Sequence, residues 1–124
     1  MAHRSRLAGF IIDCEATDPA VGAAFWAAAL GSGQEREDAS YVRLDRQRGL
    51  HLEIQAVAHP SRVHLDIETD DIQAEVARLE RLGARRIGEV GTWMVMEAPT
   101  GHRFCVIAAE TPDFATNARL WKDE

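Results

Sequence analysis

Cysteine is scarce in this chain, positive charge is in the minority and long apolar runs are missing, and each shortage closes off a class of protein. The two cysteines, Cys14 and Cys105, could pair in principle. A chain of this size outside an oxidising compartment needs no covalent staple, and both residues lie in strand-like runs, so both read as thiols. Fourteen lysines and arginines face twenty aspartates and glutamates, a net charge of -6. Nucleic acid or an anionic membrane would call for a clustered basic surface. The arginines between 43 and 48 are interrupted by Asp45 and read as a polar turn. No apolar run approaches the roughly 20 residues that span a bilayer. The opening Met1-Ala2-His3-Arg4 leads into no signal-type hydrophobic stretch, which makes the cytoplasm the expected location.

What is present is a repeat. The run Tyr41-Val42-Arg43-Leu44-Asp45, Gly49, Leu52, Ile54 returns as Trp93-Met94-Val95-Met96-Glu97, Gly101, Phe104, Val106. Upstream, Asp13 and Asp18 correspond to Asp66 and Asp71, and Leu30-Gly31 to Leu82-Gly83. With 124 residues, 46% of them hydrophobic, there is room for one domain with one shared core. Two copies of one supersecondary unit are therefore expected to line a common cavity with equivalent positions.

Each copy reads βαβββ. In the first, a strand over Leu7 to Cys14 precedes a helix that Asp18-Pro19 starts and Gly31 ends, with Val21, Phe25 and Ala28-Ala29 at helical spacing. A short strand lies within 33 to 39, Tyr41 to Leu44 alternates, and Gln47-Arg48-Gly49 turns into a last strand over Leu50 to Val57. In the second, Val63 to Glu68 is followed by a helix capped by Asp71 with Ile72, Val76, Leu79 and Leu82 as its buried stripe. Strands over 85 to 88, 92 to 97 and 103 to 108 complete it. Module one thus spans about 7 to 57 and module two about 62 to 108. In the tail from 109 to 124, Phe114, Leu120 and Trp121 suggest folding back onto the domain or a neighbour.

Alternation along strands assigns the faces. Leu50, Leu52, Ile54, Val63, Leu65, Ile67, Met94, Met96, Phe104 and Val106 form the set toward the helices. Their neighbours face the other way: Ile11, Asp13, Tyr41, Arg43, His51, Glu53, His64, Asp66, Trp93, Val95, Arg103 and Cys105. Of these, Tyr41, Arg43, His51, Asp66, Trp93 and Arg103 are the expected ligand-binding residues, and Glu53 is the candidate acid or base. His3, His59 and His102, at the terminus, the linker and a turn, receive no role.

The paired βαβββ copies, with Val63-His64-Leu65-Asp66, Asp71, Leu82-Gly83-Ala84, Trp93, Pro99-Thr100-Gly101 and Phe104-Cys105, resemble the vicinal oxygen chelate superfamily and its glyoxalase-like, bleomycin resistance related branch. The resemblance implies an α+β fold with a curved mixed sheet around a small-molecule cavity, and a homodimer; it also marks Phe25-Trp26 as core packing. Superfamily enzymes hold a divalent metal at four positions that fall here on Ile11, Glu53, His64 and Cys105. Glu53, His64 and, as thiolate, Cys105 could serve as ligands for Zn, Ni, Mn or Fe; Ile11 could not. The three-ligand set of an extradiol dioxygenase loses two members. The expected function is binding of a small organic molecule without an intact metal site; the alternative is a divalent-metal-dependent lyase or isomerase of glyoxalase type with a degenerate site. A purely structural dimer is the third reading.

Overall fold

The computed structural model describes residues 2–122. The elements are β1 (Ala2–Glu15), α1 (Ala20–Leu30), β2 (Gln34–Arg36), β3 (Tyr41–Leu44), β4 (His51–Val57), β5 (Arg62–Thr69), α2 (Ile72–Arg81), β6 (Arg85–Val90), β7 (Trp93–Glu97), β8 (Arg103–Ala108), α3 (Phe114–Asn117) and β9 (Arg119–Lys122). The chain is α+β, and βαβββ occurs twice, as β1 to β4 and as β5 to β8. It divides into two compact units. The first runs from Gly9 to His64; the second joins the chain from Leu65 onward to the strand start before Gly9. No helix among the described residues is long and apolar enough to cross a membrane.

In the first unit the strand order is β2-β3-β4-β1, antiparallel except for β4, which runs parallel to the second half of β1 from Gly9↔His51 to Glu15↔Val57. Gly9 makes the first of those pairs possible: a Cβ there would overlap the His51 carbonyl oxygen. The core gathers Val42, Leu44, Leu52 and Ile54 under Ala23 and Ala27 of α1, with Phe10, Ile12, Cys14 and Trp26 at its margin.

That contact face corrects the helical stripe expected from spacing. Val21 is 83% exposed and Phe25 61%, and Phe25 meets only the edge of Trp26, ring centroids 5.0 Å apart. The helix is apolar almost all round, so periodicity defines no unique face. Steric fit decides instead: a side chain on Gly22 would lie 2.6 Å from Cys14 Sγ, and only this small-residue side lets the helix approach the strand. The start shifts too. Pro19 is the N-cap position, and Asp18 Oδ1 accepts from the Ala20 N–H at 2.7 Å.

The second unit repeats the order as β5-β8-β7-β6, with β5 and β8 parallel and a register shift between Arg86 and Gly88 in β6. Its helix is amphipathic and behaves as read. Asp71 caps it by accepting from the Ala74 N–H at 3.0 Å, and Val76 and Leu79 pack with Ile72 on Met94, Met96, Phe104 and Val106. Leu82, the C-cap residue, is 66% exposed and does not join the buried stripe. Val63 and Leu65 are exposed as well; of the three β5 residues expected to pack, only Ile67 reaches the core.

The tail folds onto this unit. β9 pairs antiparallel with Ala2–Ser5, Phe114 is buried, and Trp121 Nε1 donates to Ser5 Oγ at 2.8 Å. Leu120 stays exposed.

Candidate functional site

The first unit brings four of the expected residues onto one sheet face. Arg43 and Glu53 are register partners on β3 and β4, Tyr41 pairs with Gln55 beside them, and His51 lies two residues from Glu53 on the same strand. Opposite them, the alternation that buries Val42, Leu44, Leu52 and Ile54 fixes this orientation. His51 is 2% exposed and Glu53 is half-buried.

Sequence reasoning missed the residue that gives Glu53 its chemistry. Glu37, in the turn after β2, hydrogen-bonds the Glu53 carboxyl, and its Oε2 accepts from Arg43 Nη2 at 2.9 Å. Alternation cannot find Glu37, since it stands outside a strand. The turn is shaped by Asp38, whose Oδ1 accepts from the Ser40 and Tyr41 N–H groups at 2.8 and 2.9 Å. Burial first, and then the hydrogen bond to Glu37 and its charge, push the Glu53 pKa up to about 8, against the pull of His51 and Arg43. Arg43 Nε is a buried donor with no acceptor among the described residues.

His64, at the end of the first unit, has Nδ1 2.8 Å from Asp13 Oδ2, and Asp13 is 2% exposed. His59 Nε2 and Arg62 Nε each lie 3.8 Å from the same oxygen. His59, expected to have no role, therefore belongs to the cluster around Asp13.

The remaining expected residues lie in the second unit. Asp66 and Cys105 are register partners on β5 and β8, and Cys105 also faces Val95. Arg103 Nε donates to Glu97 Oε2 at 3.1 Å, and Arg85 holds the other oxygen of that carboxylate. Trp93 borders a cavity of about 200 Å3 that is also lined by Ile72, Gln73 and Val76 of α2. Neither cysteine is in a disulfide.

His3, which received no role, is 2% exposed, with Nε2 2.7 Å from Glu75 Oε1. Glu75 also accepts two hydrogen bonds from Arg78, whose guanidinium stacks 3.9 Å over Trp121. Burial raises the Glu75 pKa, but the bonds from Arg78, His3 and Ser5 outweigh it and leave the carboxyl below its ordinary range. Glu68 follows the same pattern, with burial opposed by Thr111, the Glu110 and Thr111 N–H groups and Arg6. Both are saturated structural carboxylates.

Each βαβββ unit carries polar groups on the sheet face away from its helix. The sequence profile of the Glyoxalase-like domain matches residues 9–107. The chain belongs to the glyoxalase-like domain family of the vicinal oxygen chelate superfamily. None of the curated proteins matches the sequence. Solved structures show the same fold at low identity. A Mn(II)-bound glyoxalase from Novosphingobium aromaticivorans aligns with a TM-score of 0.62 at 17% identity, covering 86% of this chain and 39% of that one. Methylmalonyl-CoA epimerase from Mycobacterium tuberculosis gives 0.59 at 16%, covering 84% and 88%. An extradiol ring-cleaving dioxygenase from B. fuscum gives 0.58 at 18%, covering 86% and 33%. The chain spans well under half of the glyoxalase and the dioxygenase.

Of the four positions at which the resemblance places metal ligands, Ile11 is 3% exposed and has no donor atom. His64 Nδ1 bonds Asp13, and Cys105 carries a thiol.

Proposed function

We propose that this glyoxalase-like domain binds a small organic molecule bearing a carbonyl or carboxylate oxygen, and that it does so without the superfamily's four-ligand metal centre. The observation that carries the reading is a buried donor: Arg43 Nε has no acceptor among the described residues and lies beside Glu53 in the strand pair. A buried donor without an acceptor is costly, and an oxygen ligand relieves that cost. Tyr41 beside them offers ring surface at little entropic cost, the usual complement to a few convergent polar groups. Glu53, protonated up to about pH 8, does not repel a ligand oxygen as an ionised carboxylate would.

Propionate and pyruvate are suitable probes. Titrated into 15N-labelled protein, one or both are expected to shift the Arg43 Nε–H resonance saturably, and Arg43→Met to weaken binding at least tenfold. Absence of saturation with both, or equal binding by the variant, overturns the reading. The alternative of a divalent-metal-dependent lyase or isomerase of glyoxalase type rests on Glu53, His64 and Cys105 as ligands. Stoichiometric Zn, Ni, Mn or Fe in untagged protein purified without chelators would favour that alternative.

A further inference from the structure

We propose that the cavity between the start of α2 and the turn joining β6 to β7 is a binding site for a small alkylammonium ion, with Glu89 as the counter-charge at its mouth. The site lies wholly within the second unit and does not depend on the oxygen-binding face around Arg43.

The position of Glu89 is the unusual feature. Residues paired across an antiparallel ladder share a face, and Glu89 pairs with Met94, which packs with Val76 and Leu79 of α2 in the core. Glu89 therefore stands on the helix side of the sheet. Regular alternation from Arg86, which pairs with Met96 on that same side, would have put Gly88 and Val90 there. The register shift between Arg86 and Gly88 turns the acid toward the helix side and leaves Val90 48% exposed. An apolar core gains nothing from that exchange, and bulges recur beside functional sites because they re-aim a side chain.

A charge placed on this side needs a partner, and Arg86 has one: its Nε and Nη2 each lie 3.2 Å from a Glu80 carboxylate oxygen. Glu89 has neither an ion pair nor a side-chain hydrogen bond among the described residues. Arg85 and Arg103 are held by Glu97 instead. The α2 residues that line the cavity with Glu89 are Ile72, Gln73 and Val76, and none is basic. The chain supplies no cation for this carboxylate.

The cavity supplies room for one. Its volume, about 200 Å3, lies below the roughly 300–1,000 Å3 of drug-sized pockets and suits a small molecule. Val76 and Met94, 1% and 5% exposed, are its deepest lining residues, while Gln73, Glu89 and Thr92 are exposed and form the mouth. Half-buried Trp93 lies against the turn, where a Cβ on Gly91 would come within 3.4 Å of its ring. An apolar floor beneath a mouth of acceptors calls for a short alkyl chain with a positive head. The Glu89 carboxylate balances the charge, the Gln73 carbonyl and the Thr92 hydroxyl accept from the N–H groups, and tryptophan is the ring most favourable to a cation. An anion would be repelled by Glu89, and Asp71 at the N-cap already offsets the positive end of α2.

Titration of the 15N-labelled full chain with n-butylammonium chloride at pH 7 tests this. The Trp93 indole N–H and the Gly91 and Thr92 amides are expected to shift saturably. n-Butanol and butyrate carry a comparable chain without the positive head, and native protein should bind each at least fivefold more weakly. Glu89→Gln should weaken butylammonium binding at least fivefold with the rest of the amide spectrum unchanged. Absence of a saturable shift with butylammonium overturns the proposal, as does equal binding of butanol or butyrate, or unchanged affinity in Glu89→Gln. The comparison of the three probes uses native protein and decides the matter even if the variant fails to fold. Failure here leaves the proposed function standing, because that reading concerns oxygen ligands at Arg43.

Discussion

Glu53 in the first unit is half-buried and retains a proton to about pH 8, whereas Glu68 and Glu75 in the second are fully buried and ionise below their ordinary range. Depth of burial would order them the other way. Partners explain the inversion: Glu68 and Glu75 are surrounded by N–H, O–H and guanidinium donors, while the side chain hydrogen-bonded to Glu53 is a second carboxyl. Equivalent modules of one fold have thus separated, one using carboxylates to tie the chain together and the other keeping a carboxyl protonated.

The comparison breaks most visibly at Glu68. Glu68→Ala strands Arg6, Thr111 and two backbone N–H groups, and should cost about 3–5 kcal/mol in denaturant unfolding. Gly9→Ala, which would drive a methyl into the His51 carbonyl, is expected to lose about 3 kcal/mol by the same measurement. The two kinds of carboxyl should also answer pH in opposite senses. Between 4.5 and about 8 the folded protein binds a proton at Glu53 that the unfolded chain has released, so this group makes stability decline as pH rises. Glu68 and Glu75, with depressed values, contribute stability that is present above about 4.5 and disappears as pH falls through their folded pKa. Unfolding curves across pH 5 to 8 should therefore flatten in Glu53→Gln, and a variant with an unchanged slope would remove Glu53 as its source. The smallest effect belongs to α1: Phe25→Ser should shift stability by no more than about 0.5 kcal/mol, while Ala27→Leu, on the contact face of the same helix, should cost about 1–3 kcal/mol.

Alternation and repetition made much of the molecule legible in advance. Both βαβββ units, the core sets of β3, β4, β7 and β8, the Asp71 cap and the grouping of Tyr41, Arg43, His51 and Glu53 on one face all follow from period-2 patterning and the offset of 52 residues. The α1 stripe was misread because a helix apolar on every side contains no directional signal, and the deciding contact, Gly22 against Cys14, is between elements. Glu37 and His3 were invisible for a related reason. Their partners lie across a turn in one case and 72 residues away in the other, and no local pattern encodes such meetings.

The pairing of β9 with the opening of β1 has a practical side. The strand start that carries His3 and Ser5 sits beneath Trp121 and against Glu75, so the beginning and the closing strand of the chain behave as one clasp. Trimming from Arg119 onward, a routine economy when preparing a protein for crystals, would open the clasp and expose a histidine that the fold keeps dry.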